Sequence, residues 1–320
     1  MKRFRGLLMA IAALLIVGIF SVADTYEVQA AGNTLTVKNK TLSLGTTIKT
    51  LDKKLGKHAA SYTEPTGIKA YVYNKTSGRF VIAYTKGSKV IGYFTLSKDY
   101  KTQYAKSGVK KATLNKNKFK ADTWCGLKSE DGEVKNEYFG YERVGSQVTE
   151  EEYIDYWGSK KTFAAKVYLT KYSIYFSNWG AEKKYNSSIR TGTEKETLYV
   201  TNAFREYLGL KKLSASSKVA NVARAHSKDM AAKNYFSHYS LDGKSPFDRI
   251  KNAGITYSWA GENIAAGQNC GVNFVLAWIG SKGHRDNLKF KDYKYLGVGY
   301  AYSSNSTYGT YITQNFYSLR

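Results

Sequence analysis

The stretch that decides the fold holds three short motifs in order: FSHYSLDGKSPFDRI at 236–250, GENIAAG at 261–267 and WIGSKGHRDNL at 278–288. They supply two imidazoles, His238 and His284, and the Glu262 carboxylate. Each of the three side chains stands in a loop-like context with Gly or Ser close by. Because the motifs are separate, their side chains meet only if the intervening chain folds back. The stretch therefore predicts a site built by tertiary structure.

Further motifs flank this stretch: NAFR at 202–205, GVG at 297–299 and TQNF at 313–316. Arg249, within the first motif, belongs to the same set. With them, the region 191–320 resembles the CAP superfamily (cysteine-rich secretory, antigen 5 and pathogenesis-related proteins), most closely its bacterial secreted branch. The resemblance implies an α-β-α sandwich, with helices on both faces of a small sheet. The fold class expected for the whole chain is α+β.

The resemblance also implies a cleft with two histidines and two acidic residues, which binds a divalent cation in several members. His238, Glu262 and His284 fill three of these places as metal ligands. The second acidic residue would stand three positions after Trp278, where this chain has Ser281. Two imidazoles and one carboxylate can hold zinc with water in the fourth position. Because one negative charge is missing, we expect zinc to bind weakly.

Other roles for the cleft stay open. Ser281 and His284 are three residues apart, and with Glu262 as orienting acid they are catalytic candidates for a hydrolase that acts on wall material or protein. A structural tie between Glu262 and a histidine is a further alternative. Arg285, like Ser281, is a candidate ligand-binding residue, here for anionic groups. The alternative for Arg285 is a structural role, in which it donates hydrogen bonds to backbone carbonyls. For Arg249 this structural role is the favoured one.

The first residues predict a secretory signal peptide over 1–31. A basic start precedes an apolar run from Leu7 to Val22 and small residues up to Ala30, the parts of such a peptide. The run is shorter than the roughly 20 residues that a membrane-spanning helix needs. We expect cleavage just after Ala30 or Ala31, and a secreted, extracellular or wall-associated chain without a transmembrane segment.

The domain division that follows is a strand-rich accessory domain over 32–177, a linker over 178–192 and the CAP domain over 193–320. In the accessory domain, the spacing predicts a helix ending at Gly56 and a three-stranded meander over 69–95. Helix followed by meander is similar to the small domain found before bacterial CAP domains. The acidic segment 149–156 is interpreted as a short helix.

In the C-terminal part, the patterns predict four helices and a closing hairpin. The helices begin near Thr193, at the spacing of a capping box, and near 216, 245 and 273; the hairpin strands are 296–302 and 310–317. His226 falls on the apolar stripe of the second helix, so we interpret it as a core histidine with one hydrogen bond.

The two cysteines, Cys125 and Cys270, lie in different halves of the chain. A bridge between them would join the two domains, and such pairs oxidise outside the cell. Two free thiols are favoured, because the pair lacks the spacing of a disulfide framework.

The charge is strongly positive: 49 Lys and Arg against 25 Asp and Glu give a formal net charge of +24. Such a field attracts polyanions. The expected partners are anionic cell-wall polymers or an anionic membrane surface. Nucleic acid is the weakest alternative, since no nucleic-acid motif accompanies the charge. The leading function is extracellular binding at the cell envelope through the cleft and the basic surface.

Adsorption of the mature protein to bacterial walls should weaken as salt rises, because at physiological ionic strength exposed charges are screened beyond about 8 Å. Co-sedimentation with purified walls at low and high NaCl measures this, with walls stripped of anionic polymers as control. Equal binding at both salt concentrations would contradict a charge-driven attachment.

Overall fold

A computed structural model describes residues 33–121, 140–176 and 185–320. The predicted signal peptide and Cys125 lie outside these residues. Within them, the helices are all too short or too polar to cross a membrane.

The N-terminal part begins with a small sheet and a helix. Its elements are β1 (Thr34–Val37), β2 (Lys40–Ser43) and α1 (Ile48–Leu55). The Thr47 side chain caps α1 by accepting from the Thr50 amide, and Gly56, at φ 83°, follows the last turn. The predicted helix is confirmed, including its end, because a positive φ favours glycine.

An eight-stranded antiparallel sheet forms the body of this part. The remaining elements are β3 (Ala60–Thr63), β4 (Lys69–Tyr73), β5 (Val81–Lys86), β6 (Lys89–Thr95), β7 (Tyr100–Lys101), α2 (Lys111–Lys116), β8 (Lys120–Ala121), β9 (Gly140–Val144), β10 (Val148–Ile154) and β11 (Thr162–Leu169), followed by a 3₁₀ turn over Thr170–Tyr175. The strand order is β3-β4-β5-β6-β11-β10-β9-β8, and β7 pairs with β1 in the small sheet. The meander is confirmed as β4, β5 and β6, joined by antiparallel pairing.

The prediction of a helix over 149–156 is wrong, because residues 149–154 belong to the strand β10 and the chain leaves the strand after Ile154. Three consecutive glutamates of this strand are buried, and partners on other elements accommodate them. Glu152 accepts from the Tyr100 hydroxyl, Glu150 from the Gln103 amide at 3.2 Å, and Glu151 is 3.3 Å from the Lys166 ammonium. A local charge pattern cannot reveal such partners, since they come from β7, from β11 and from the residues after β7.

The C-terminal part is a three-layer sandwich. Its elements are α3 (Ser187–Tyr207), β12 (Ser214–Ala215), α4 (Ser217–Lys233), α5 (Pro246–Asn252), β13 (Trp259–Ala266), α6 (Gly271–Gly280), α7 (Lys282–Lys289), β14 (Tyr295–Tyr302) and β15 (Thr310–Ser318). The sheet order is β12-β14-β15-β13. The predicted second, third and fourth helices and the hairpin are confirmed; α7 was not predicted.

Helices pack on both faces of this sheet, because successive side chains of a strand point to opposite faces. Gly297 and Gly299 of β14 face α4, where an added Cβ would lie 2.2 Å from the Ala220 amide nitrogen and 2.0 Å from that of Arg224. The alternate residues of the same strand join the core that α3 and α6 build, through Phe204 and other side chains. The expected α-β-α sandwich is therefore present.

Helix α3 begins at Ser187, earlier than the capping box at Thr193 predicted. The Asn186 side chain caps it by accepting from the Ile189 amide at 2.9 Å. The first turns pack on β3: a Cβ at Gly192 would lie 2.9 Å from the Tyr62 Cβ. Part of the predicted linker is therefore helical, because it lies against the N-terminal sheet.

The two parts share one hydrophobic core. A single cluster of buried residues contains Tyr62 and Phe94 of the N-terminal sheet together with Phe204 and Trp278 of the sandwich. Edge-on contacts continue across the boundary, for example between Phe163 and Phe204 at 6.3 Å between ring centres. The sandwich is therefore supported by the preceding sheet through side-chain packing.

The Gly299→Ala substitution should destabilise the protein by about 3 kcal/mol or more, since the new methyl group would overlap the backbone of α4 and force the helix away. The matched control is Gly283→Ala in α7, where no atom lies within 4 Å of an added Cβ; it should stay within about 1 kcal/mol of wild type. Urea unfolding measures both. Equal stability of Gly299→Ala and wild type would contradict this helix–strand packing.

Candidate functional site

A buried carboxylate holds an exposed imidazole at the centre of the site. Glu262, whose side chain is 2% exposed, places Oε1 2.8 Å from Nδ1 of His238, whose side chain is 43% exposed. Its other oxygen, Oε2, accepts from Arg249 Nη2 at 2.8 Å. An ionised carboxylate only accepts hydrogen bonds, so Nδ1 carries the proton and Nε2 of a neutral ring keeps its lone pair.

Three elements fix this geometry. Glu262 lies on β13, in register with Asn315 of β15. His238 lies in the segment after α4, which ends at Asn234 in the left-handed conformation, with φ 54°. Arg249 lies on α5, whose start is fixed by the capping box between Ser245 and Asp248. The predicted convergence of the 236–250 and 261–267 motifs is therefore present.

Arg249 is the residue that closes the loop around His238. Its Nη1 atom donates to the His238 carbonyl at 2.9 Å, to Ser240 Oγ at 3.0 Å and to the Lys244 carbonyl at 3.0 Å. The predicted tie to carbonyls is confirmed. The ion pair with Glu262 was missed, since no local sequence pattern joins the two residues.

His284 is oriented by a different partner. Its Nδ1 lies 2.9 Å from Ser281 Oγ, and Ser281 is the residue between α6 and α7. The two segments are nevertheless linked, because the Asn263 side chain donates to the His284 carbonyl at 3.2 Å and Asn287 donates to the Glu262 carbonyl at 3.1 Å. α7 thus lies along the strand that carries Glu262.

The predicted zinc ligands are brought together only in part. Among the residues that the structure describes, the donor atoms of His238, Glu262 and His284 do not all lie within 4.8 Å of one another; the group that meets this distance is Glu64, Glu196 and Cys270. The structure joins His238 to Glu262 and joins His284 to Ser281. The three-ligand zinc set therefore stays a prediction.

Arg285 lies in the interior, where the tie to carbonyls is its role. It is 8% exposed and donates to the carbonyls of Ile279 and Gly280 at 2.8 and 3.2 Å. Its guanidinium lies 4.7 Å from the centre of the Trp157 ring. A cation at the end of α6 is favourable because the helix dipole is negative there. These contacts hold the Arg285 guanidinium against the end of α6, and its role as a ligand-binding residue stays a prediction.

His226 is a core residue, as predicted. It is 1% exposed, and its Nε2 atom lies 2.9 Å from the Ser237 carbonyl. Burial lowers the pKa of this imidazole below the ordinary value of 6.5, and the charge of Glu262 opposes that shift. His226 therefore supports the start of the segment that carries His238.

The sequence of the C-terminal part matches a known family. Residues 198–316 fit the model of the CAP family, described as the cysteine-rich secretory protein family. A relative from Bacillus subtilis (strain 168), the uncharacterized protein YkwD, is 45% identical over 123 residues, which are 38% of this chain and 46% of the relative. The match thus spans less than half of the length of that curated relative.

Two solved structures share the fold. An extracellular protein containing a SCP domain, from Bacillus anthracis str. Ames, superposes with a TM-score of 0.71 at 24% identity, over 88% of this chain and 95% of its own. A cysteine-rich secretory protein from Staphylococcus aureus subsp. aureus Mu50 gives 0.67 at 22% identity, over 86% and 93%. Because the coverage is this large, both likenesses include most of the N-terminal sheet.

Residues 198–316 thus match the CAP family. The C-terminal unit has the fold of the two solved structures, and a strand-rich domain precedes it.

The free energy of unfolding should fall as pH drops below about 6.5, because the unfolded chain then binds a proton at residue 226 that the folded chain, with its lowered pKa, does not. His226→Gln should remove this contribution and flatten the profile between pH 7.5 and 5. Urea unfolding across that range measures both proteins, and each is compared with its own value at pH 7.5. An equally steep fall in the variant would contradict the assignment.

Proposed function

We propose that this protein binds ligands at the bacterial cell envelope, outside the cytoplasm, through the exposed His238 imidazole and a basic surface. The observation that carries the proposal is the pair formed by exposed His238 and buried Glu262. A carboxylate that fixes the proton on one ring nitrogen makes the other nitrogen a better ligand for a metal ion. Glu262 then orients the His238 ring by accepting the hydrogen bond from its Nδ1 atom.

A divalent cation, zinc by preference, is the ligand we propose for His238 Nε2, since neutral imidazole suits zinc. His284, on the adjoining α7, is the proposed second imidazole. Arg249 neutralises Glu262, so the carboxylate adds little net charge. This agrees with the weak zinc binding expected from the serine at position 281.

The distribution of buried charge supports an anionic partner. In the part of the chain that the structure describes, eight Asp and Glu residues are buried, against four Lys and Arg residues. Burial therefore removes a larger share of the negative than of the positive charge from the surface. The outward field is more basic than the composition alone indicates, and anionic wall polymers are its natural counterpart.

A hydrolase is the second candidate, because Ser281 Oγ lies 2.9 Å from His284 Nδ1, within the distance of a nucleophile–base pair. Glu262, the predicted orienting acid, instead uses both of its oxygens on His238 and Arg249. The binding function is thus better supported. Labelling by a fluorophosphonate that is lost in Ser281→Ala would favour the hydrolase.

Zinc uptake should depend on His238. In calorimetric titration of the mature protein, His238→Ala should lose a weak zinc-binding event, and Glu262→Gln should weaken it about 10–100-fold, since the orienting carboxylate is removed. His58→Ala is the matched control: His58 Nδ1 also lies beside a carboxylate, 3.1 Å from Asp52 Oδ1, but in the N-terminal part. His58→Ala should titrate like wild type. If His238→Ala and wild type take up zinc alike, the proposed cleft function fails.

A further inference from the structure

A second cluster of metal-binding side chains lies where the two parts of the chain meet. Glu64 follows β3, Glu196 lies on α3, and Cys270 is the N-cap of α6. Carboxylate oxygens of the two glutamates and the Cys270 sulfur all lie within 4.8 Å of one another. The cluster shares no residue with the His238 site.

The acidic pair is deeply buried. Glu64 is 4% exposed and Glu196 is fully buried. Two neighbouring carboxylates in the interior cannot both stay ionised without a compensating charge, so a proton or a cation must lie between them. Lys166 is nearby, but its ammonium is already 3.3 Å from Glu151.

The two carboxylates differ in their hydrogen bonds. Glu196 accepts from the hydroxyl of Tyr62 at 3.1 Å and from the amides of Gly271 and Val272 at 2.6 and 3.3 Å. Neither oxygen of Glu64 receives a hydrogen bond from an N–H or a hydroxyl group; its partner is the carboxyl group of Glu196, through a side-chain hydrogen bond between the two glutamates. A hydrogen bond between two carboxyl groups requires a proton between them, and a cation can take the place of that proton. Glu64 is therefore a residue that a bound ion would satisfy in place of the shared proton.

A small cavity adjoins the cluster. It has a volume of ≈ 20 Å³ and is lined by Glu64, Tyr84, Lys166 and Cys270, among other residues. That is room for about one water molecule. Cys270 is a free cysteine and belongs to the lining of this cavity. Three protein donors and one adjoining water position match the number of ligands in an open zinc site.

We propose that Glu64, Glu196 and Cys270 bind a divalent transition-metal ion, zinc by ligand type, which ties the N-terminal sheet to the CAP domain. On binding, the S–H bond of Cys270 breaks, a metal–sulfur bond forms, and the proton leaves to the buffer together with any proton that the two carboxylates share. The ion supplies the positive charge that the buried pair lacks. It also takes the place of the proton between Glu64 and Glu196.

This site would act as a structural clamp. Its ligands come from the β3–β4 turn, from the third turn of α3 and from the start of α6, so one ion would fix three elements of both domains. Binding to the folded state alone stabilises a protein in proportion to the logarithm of ligand concentration. The temperature of unfolding should therefore rise with zinc and fall on chelation.

Cobalt titration of the mature, chelator-treated protein under a non-thiol reductant tests the site. Thiolate ligation of Co²⁺ gives a sulfur-to-metal charge-transfer band that carboxylate and imidazole ligands do not give. We expect this band at one equivalent in wild type, in His238→Ala and in Cys125→Ser, and no band in Cys270→Ser. Glu64→Gln should weaken cobalt binding by at least about tenfold, the least that loss of a supporting group causes.

Two results would overturn the proposal: no charge-transfer band in wild type, or an unchanged band in Cys270→Ser. Either would show that Cys270 is not a ligand of the ion, which leaves a shared proton to account for the buried carboxylate pair. Absence of the band in wild type overturns the site even if a variant does not fold, and Cys125→Ser excludes the other cysteine as the source of a band. His238→Ala separates this site from the envelope-binding cleft, because loss of cleft binding leaves the thiolate band in place.

Discussion

The buried carboxylate of Glu196 is the interaction on which the arrangement of the two domains depends. One of its oxygens accepts from Tyr62 and, at 3.4 Å, from Tyr84 of the N-terminal sheet, and the other accepts from the first amides of α6. A negative group at a helix start satisfies free amides and the helix dipole together. Glycine is required at position 271, because a Cβ there would lie 2.8 Å from Glu196 Oε2.

The position of α6 then determines the site further along the chain. Trp278 of this helix donates to the Ile264 carbonyl at 2.9 Å, which holds α6 against the strand that carries Glu262. The helix ends at Ser281, where the chain turns into α7 and presents His284. The N-terminal sheet thus influences the cleft through α6 without contributing a side chain to the His238–Glu262–Arg249 group.

The protein places much of its acidic charge in the interior, where tyrosines and a few cations accommodate it. Burial, and then the charge of Glu196, raise the pKa of Glu64; burial also raises the pKa of Glu152, which accepts from Tyr100. A buried acid costs stability unless it is protonated or receives hydrogen bonds. The excess of Lys and Arg makes the protein basic, and the burial of these acids leaves fewer negative side chains at its surface.

The sequence by itself determined the elements whose signals are local: α1 with its glycine stop, the β4–β6 meander, the capped α5 and the closing hairpin. Ordered motifs also pointed to the CAP family, which the match of residues 198–316 supports, and they named His238, Glu262 and His284 as candidates. Only the tertiary structure decided which of these side chains are in contact. Arg249 donates to one oxygen of Glu262, and Ser281 Oγ lies at hydrogen-bond distance from His284. The tertiary structure also placed residues 149–154 in a strand and brought Glu64, Glu196 and Cys270 together, since the burial of a charged residue depends on partners that are distant in sequence.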